Sequence, residues 1–160
     1  MSEARRCMGV TIGGALFGLL LDHVQEVIAW RALSRLFHAP PVLSGVISLR
    51  GEVLPVLEPA LLLDVEPRTA VEEAKIVVVR ELGGLGRRAG LRVDSLSGLR
   101  ELPEGGLASV PSLISERVAS LLLGVITDSP ACAVLNVSAL LDAPELLPLR
   151  GESPPLAAGS

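Results

Sequence analysis

The chain has 160 residues, of which 49% are hydrophobic and 2% aromatic, and it carries a formal net charge of −4. That supply of Leu, Val, Ile and Ala fills the core of one domain or two small packed units, while the few rings and the lack of a basic stripe argue against a nucleic-acid partner. The longest apolar run, Ala15 to Leu21, stops at Asp22, well short of the roughly 18 residues of a membrane span; nor does an apolar h-region with a cleavage site follow Arg5-Arg6, so a cytoplasmic protein without membrane insertion is expected.

Short runs rich in Val, Ile and Leu recur along the chain: Val10 to Ile12, Ala15 to Leu21, Val24 to Trp30, Val42 to Leu49, Val53 to Leu57, Lys75 to Arg80, Ala89 to Val93, Val118 to Ile126 and Ala131 to Leu135. Gly13-Gly14, Arg50-Gly51, Gly83-Gly84-Leu85-Gly86 and Asp128-Ser129-Pro130 separate them as hairpin connections. This is an all-β pattern. Pro59 at a first helical position and Asn136 as an N-cap predict short helices at the ends of the two halves. Val65 to Glu73 reads as a polar connection, and Gly151 to Ser160 as a flexible tail.

The chain also contains its own comparison. LSGVISLRGEVLPVLE, Leu43 to Glu58, returns in rougher form as LLLGVITDSPACAVLN, Leu121 to Asn136, and Phe17 to Val27 returns as Ala89 to Leu99. The offsets of 72 and 78 to 79 residues exceed the roughly 20 to 50 of a solenoid unit, so two similar half-domains are implied. Two small barrels fit, the first over about residues 10–66 and the second over about 74–142, within one domain at 7–149 and with strand exchange between the halves left open. What both copies keep belongs to the fold. Arg50 stands where the second copy turns with Asp128-Ser129-Pro130, and Glu26 falls opposite Gly98, so these two charges are the candidates for function. Ordinary solvated charges, or a mutual surface ion pair of little energetic weight, are the alternative.

Little points to catalysis or to a cofactor. His23 and His38 have no second ligand pair at metal-binding spacing, and the glycines at 83, 84 and 86 lack the Gly-Lys-Ser/Thr of a phosphate loop. Cys7 and Cys132 read as buried thiols, and Asp22 and Asp94 as equivalent strand-end turn formers. No serine or cysteine lies in a nucleophile pattern. A binding scaffold is therefore favoured over an enzyme with its site in a cleft between the barrels.

The segments IGGALFGLLLDHVQEVI, APPVLSGVISLRGEVLPVLE, AKIVVV, AGLRVDSLSGL, and LLLGVI followed by AVLNVSALL resemble, in order and spacing, the CheW family of adaptors in bacterial chemosensory arrays, over Val10 to Leu147. The resemblance implies two five-stranded SH3-like β-barrel subdomains and a non-catalytic role: binding the cytoplasmic tip of chemoreceptors and the regulatory domain of the histidine kinase CheA. It assigns receptor binding to Val24, Glu26, Gly45 and Arg50, and groove or kinase contacts to Gly90, Leu96, Leu99 and Gly124. Two departures stand out: Glu58-Pro59-Ala60 where many members have Asp-Leu-Arg, and Asp64 where a glycine is common. They make a specialised adaptor that binds receptor but not kinase the alternative expectation.

Overall fold

A computed structural model describes residues 5–35, 39–66 and 73–144 of the protein. Gly13 and Gly14, both at positive φ, turn β1 (Arg6–Ile12) back onto β2 (Ala15–Leu20). A single 3₁₀ turn, Leu21–His23, leads to β3 (Val24–Ala29), then come β4 (Leu43–Leu49), β5 (Glu52–Leu57) and α1 (Pro59–Leu62). The second half repeats the series as β6 (Lys75–Arg80), β7 (Arg88–Val93), β8 (Ser95–Glu101), α2 (Glu116–Ala119), β9 (Leu122–Ile126), β10 (Cys132–Leu135) and α3 (Val137–Leu141). Pro59 occupies the first turn of α1, where its missing N–H has no intrahelical partner to lose, and Asn136 Oδ1 accepts from Ala139 N–H at 3.0 Å to cap α3.

Two segments differ from the sequence reading. Val118 to Ile126 is not one strand: Ser115 Oγ accepts from Val118 N–H at 3.2 Å, α2 forms first, and the strand begins at Leu122. β8 escaped that reading because SLSGLRE has no branched apolar run, and every residue in it except Arg100 is exposed. The tail from Gly151 and most of the polar connection lie outside the described residues.

The strands form two five-stranded sheets, β8-β1-β2-β10-β9 and β3-β6-β7-β5-β4. Advancing each first-half strand by five, and taking each second-half strand back by five, converts one order into the other. The sheets therefore do not follow the contiguous ranges 10–66 and 74–142. Each half gives its opening hairpin, β1-β2 or β6-β7, to the three later strands of the other half. Each graft has an antiparallel side, β1 against β8 or β6 against β3, and a parallel side, with Gly18 opposite Val134 in β2-β10 and Gly90 opposite Val56 in β7-β5. Neither sheet closes through a continuous ladder, so a closed SH3-like barrel is not what the strand pairing shows. Across each open seam runs an isolated bridge, Ser34 to Val46 in one sheet and Ala108 to Val125 in the other.

Burial follows from this exchange. The largest core lies between the sheets, with Val10, Ile12, Phe17 and Leu19 of one grafted hairpin meeting Val77, Val79, Ala89 and Leu91 of the other, flanked by Leu62 and Leu140 of the helices. Each sheet also curls over a smaller core of its own, Ile47, Leu54, Val56, Ile76 and Val78 in one and Cys7, Leu20, Ile126, Cys132 and Val134 in the other. Both cysteines are thus buried free thiols. β6 serves two cores, its alternate side chains pointing to opposite faces, and Ile76 to Val79 are wholly buried. At about 1.5 to 3 kcal/mol for each large apolar side chain removed from water, such strands contribute heavily to stability.

One polar network fixes α3 to the β6-β7 turn. Arg87 donates to both carboxylate oxygens of buried Glu81, at 2.8 and 2.9 Å, and also to Leu141 O and Asp142 Oδ1 at the end of α3. These bonds hold the Glu81 carboxyl at about 2, against an ordinary 4.5, with the Arg87 hydrogen bond as the main cause. Because the folded-state value is depressed, the stabilisation is complete above pH 4.5 and is lost as pH falls towards 2. Denaturant melts across that window should show wild type losing stability relative to Glu81→Gln, with the two curves converging near pH 2. A constant gap between them would assign the network no linkage to acid stability.

Candidate functional site

The seam between β3 and β4 is where the sequence-predicted charges meet. After β3 the chain returns along β4, and Ser34 exchanges two backbone hydrogen bonds with Val46, of 3.0 and 2.8 Å. Gly45 permits that approach, since a Cβ there would stand 2.7 Å from Ser34 O and 2.8 Å from Leu33 Cβ. Further along the seam Arg31 Nη1 donates to Ser48 O at 3.2 Å, and at its far end Arg50 pairs with Glu26 across the two strands.

The Arg50-Gly51 turn takes φ values of 50° and 83°, the double left-handed geometry of a tight hairpin. It leaves the Arg50 side chain 69% exposed while its guanidinium reaches the more sheltered Glu26. The Arg50 hydrogen bond is the main cause that holds the Glu26 carboxyl below the usual carboxylate range, so the pair stays ionised at neutral pH. Val24, at the start of the same strand, is half-buried against the central core, and Val53, beyond the turn, is 69% exposed. A second pair, Arg88 with Glu52, lies alongside, with Gln25 also accepting from Arg88. The result is a patch of alternating charge with one exposed apolar side chain, Val53, beside it. Of the four receptor-assigned residues, Glu26 and Arg50 pair at this end of the seam, Val24 packs against the central core, and Gly45 lies further along the seam against Ser34.

The other sheet repeats the backbone device with different side chains. Ala108 exchanges bonds of 2.8 and 2.9 Å with Val125, and a Cβ on Gly124 would lie 2.7 Å from Leu107 Cβ and 2.8 Å from Ala108 O. No acid–base pair spans this seam in the described residues. Arg100 on β8 donates instead to the carbonyls of Asp128 and Pro130 in the β9-β10 turn. Leu96 and Leu99 are 42% and 53% exposed on β8, an apolar surface suited to a partner. Gly90 and Gly124 do not join them: both are buried, and a Cβ on Gly90 would stand 2.6 Å from Ile76 Cγ2. Their roles are close packing, one at the parallel graft and one at the seam.

The family departures are also placed. Pro59 and Ala60 are buried in α1, so neither alters an outer surface. Asp64 has φ 60°, a left-handed position that explains why glycine suits it and that Asp tolerates; it also pairs with Arg117 at 3.0 Å, while Arg117 donates to the α1 carbonyl of Leu62. Asp22 is exposed, whereas Asp94 is buried and accepts from Gly13 N–H at 2.8 Å, tying the two halves together. His23 binds Arg80 O through Nδ1 at 2.9 Å, and His38 lies outside the described residues. Among the pairs that sequence reasoning missed is that of buried Arg92 with the largely sheltered Glu58, beside Trp30. Its signal was available: Arg92 interrupts an apolar strand at the position where the first copy has Leu20.

Two matched sheets with exposed, chemically distinct seams define a binding scaffold. The family model described as CheW-like domain matches residues 6–145, and the chain belongs to that family. It is 25% identical over 142 residues to a probable chemotaxis protein CheW of Rhizobium etli, covering 88% of this chain and 90% of that one. It is 32% identical over 134 residues to Protein FrzA of Myxococcus xanthus, at 81% of each. The fold is shared with the scaffolding protein TtCheW of Thermoanaerobacter tengcongensis, with a TM-score of 0.74, 21% identity, and coverage of 86% and 87%.

The paired glycines give a direct test of the shared seam. Gly45→Ala and Gly124→Ala should each destabilise the protein by about 1 to 3 kcal/mol, because the methyl group meets backbone that cannot withdraw without losing the bridge. Equal urea midpoints for both variants and wild type would show that the close approach is not required.

Proposed function

We propose that the protein is a non-catalytic adaptor that couples the cytoplasmic tip of a chemoreceptor to the regulatory domain of a CheA-type histidine kinase. The Glu26–Arg50 pair carries the reading: it lies on a seam whose counterpart has no such pair among the described residues. In this reading Val24, Glu26 and Arg50 face the receptor, held by the Gly45 crossing. Leu96 and Leu99 on the other sheet face the kinase, with Gly90 and Gly124 as packing supports. Each sheet with its bridged seam is the equivalent of one SH3-like barrel. The interior position of Pro59 and Ala60 supports retention of kinase coupling, and Asp64 is the departure that changes the outer surface, beside α1. No described helix is long and apolar enough to cross a membrane, so on this reading any association with a membrane array runs through the receptor.

Calorimetric titration of the purified chain against receptor tip and kinase regulatory domain, offered separately, tests the proposal. Arg50→Glu should weaken receptor binding by about tenfold or more, near 1.4 kcal/mol of binding free energy, with native circular dichroism and kinase binding intact. Arg50→Asn, which tolerates the left-handed turn, separates loss of charge from backbone strain and should also bind receptor more weakly. Normal receptor binding by both variants would remove Arg50 from the interface, and absence of kinase binding by wild type would leave a receptor-only adaptor.

A further inference from the structure

The Glu26–Arg50 pair is not alone at its end of the sheet. Glu26 stands two residues before Ile28 on β3, Glu52 two before Leu54 on β5, and Arg88 two before Gly90 on β7. Ile28 packs against the small core that contains Leu54, and a Cβ on Gly90 would meet Ile76 and Val56 of the same core. Side chains two apart on a strand share a face, so Glu26, Glu52 and Arg88 all rise from one rim of that core, and Arg50 joins them from the turn. Arg88 pairs with Glu52 and donates to Gln25 Oε1 at 3.3 Å. After the Arg50 hydrogen bond, which is the main cause, Arg31 and Arg88 also help to hold the Glu26 carboxyl low.

The other sheet forms without these charges. At its equivalent rim Gly98 stands for Glu26 and Leu16 for Arg88, and the turn Asp128-Ser129-Pro130 runs into Ala131 with neither a cation nor an acid after it. That rim is a hollow of about 300 Å³, with Leu16, Gly98, Ser129 and Pro130 in its wall. The four charges are therefore an addition to one sheet. Two of them are sheltered and two face outward: the side chains of Glu26 and Arg88 are 21% and 22% exposed, those of Arg50 and Glu52 69% and 60%. The outward two have opposite signs and flank Gly51, so their Cα atoms lie no more than about 7 Å apart. Solvent meets a cation and a carboxylate side by side in a fixed order.

We propose that Glu52 and Arg88 extend the receptor-binding surface: Glu52 contacts a cationic side chain of the receptor tip, beside a carboxylate that meets Arg50, and Arg88 is the positioning residue that holds Glu52 there. This rests on the receptor-binding reading of Arg50 and adds an oppositely charged contact to it. A tip segment with its acid and base in the matching order is attracted at both points, and one with the order reversed is repelled at both, which makes the two outward charges a specificity determinant. Exposed ion pairs contribute little to folding, so replacing Glu52 should leave the fold intact.

Calorimetric titration with the purified receptor tip tests this. Glu52→Lys should lower receptor affinity by about tenfold or more, and Glu52→Gln should lower it less and flatten its dependence on salt. Arg88→Leu, which copies Leu16, should weaken binding in the wild-type background and add nothing to Glu52→Gln, because it acts through the carboxylate. Replacing one lysine or arginine of the receptor tip by glutamate should restore affinity for Glu52→Lys. Undiminished binding by Glu52→Lys, with Arg50→Glu still weakened, would overturn this inference and leave the receptor reading standing; undiminished binding by both would remove the receptor reading itself. An equal loss from Arg88→Leu in both backgrounds, or no restoration by any receptor replacement, would also overturn the inference. Should Glu52→Lys fail to fold, a wild-type affinity and salt slope for Glu52→Gln would overturn it in the same way.

Discussion

Everything in this molecule depends on the exchange by which each half completes its sheet with a hairpin of the other, held on one side by a parallel pairing, β2 with β10 or β7 with β5, and on the other by an antiparallel ladder, β1 with β8 or β6 with β3. Parallel neighbours need a long crossover connection, and here the crossover is most of a half-domain. Gly18 and Gly90 stand at these contacts. At Gly18 a Cβ would approach Cys7 Sγ to 3.2 Å; at Gly90 it would come still closer to Ile76. The exchange puts both grafted hairpins between the sheets, where they build the common core, and it pushes the open seams to the two outer ends.

Each seam is then a repeated backbone device carrying unrepeated side chains. A buried glycine and a two-bond bridge draw the returning chain across the edge strand in both halves. On that shared support one seam carries Arg50 and Glu26, and the other places Arg100 against turn carbonyls below exposed leucines. Duplication thus supplies two similar platforms, and divergence of a few exposed residues gives them different surfaces. The same reasoning applies in the interior, where Arg92 and Glu58 stand in place of a leucine and a capping asparagine.

The repeats made much of this legible in sequence. They marked what both copies keep, the glycines at 45 and 124 included, as belonging to the fold, and Arg50 as an addition the fold does not need. The exchange of hairpins was not legible, because halves with matching strand patterns pair equally well within or across the copies. β8 was missed because its exposed face and polar serines gave no apolar run. α2 merged into β9 because Val118, Ala119 and Leu121 continue the apolar pattern of the strand. The Glu58–Arg92 pair was hidden by a separation of 34 residues, which no local periodicity connects, although a charge inside AGLRV was a sign of it. Gly90 and Gly124 are buried at points of close backbone approach, a placement that the sequence pattern alone did not separate from a surface position.

Native-state hydrogen exchange measures the exchange of hairpins most directly. If each sheet is completed by the other half, amides of β1-β2 and of β6-β7 share the slowest, global opening with those of β10 and β5. The account predicts one common free energy of exchange for these four groups, lowered equally by destabilising either parallel pairing. Opening of β1 to β5 as a unit, with β6 to β10 still protected, would contradict it and restore two self-contained halves.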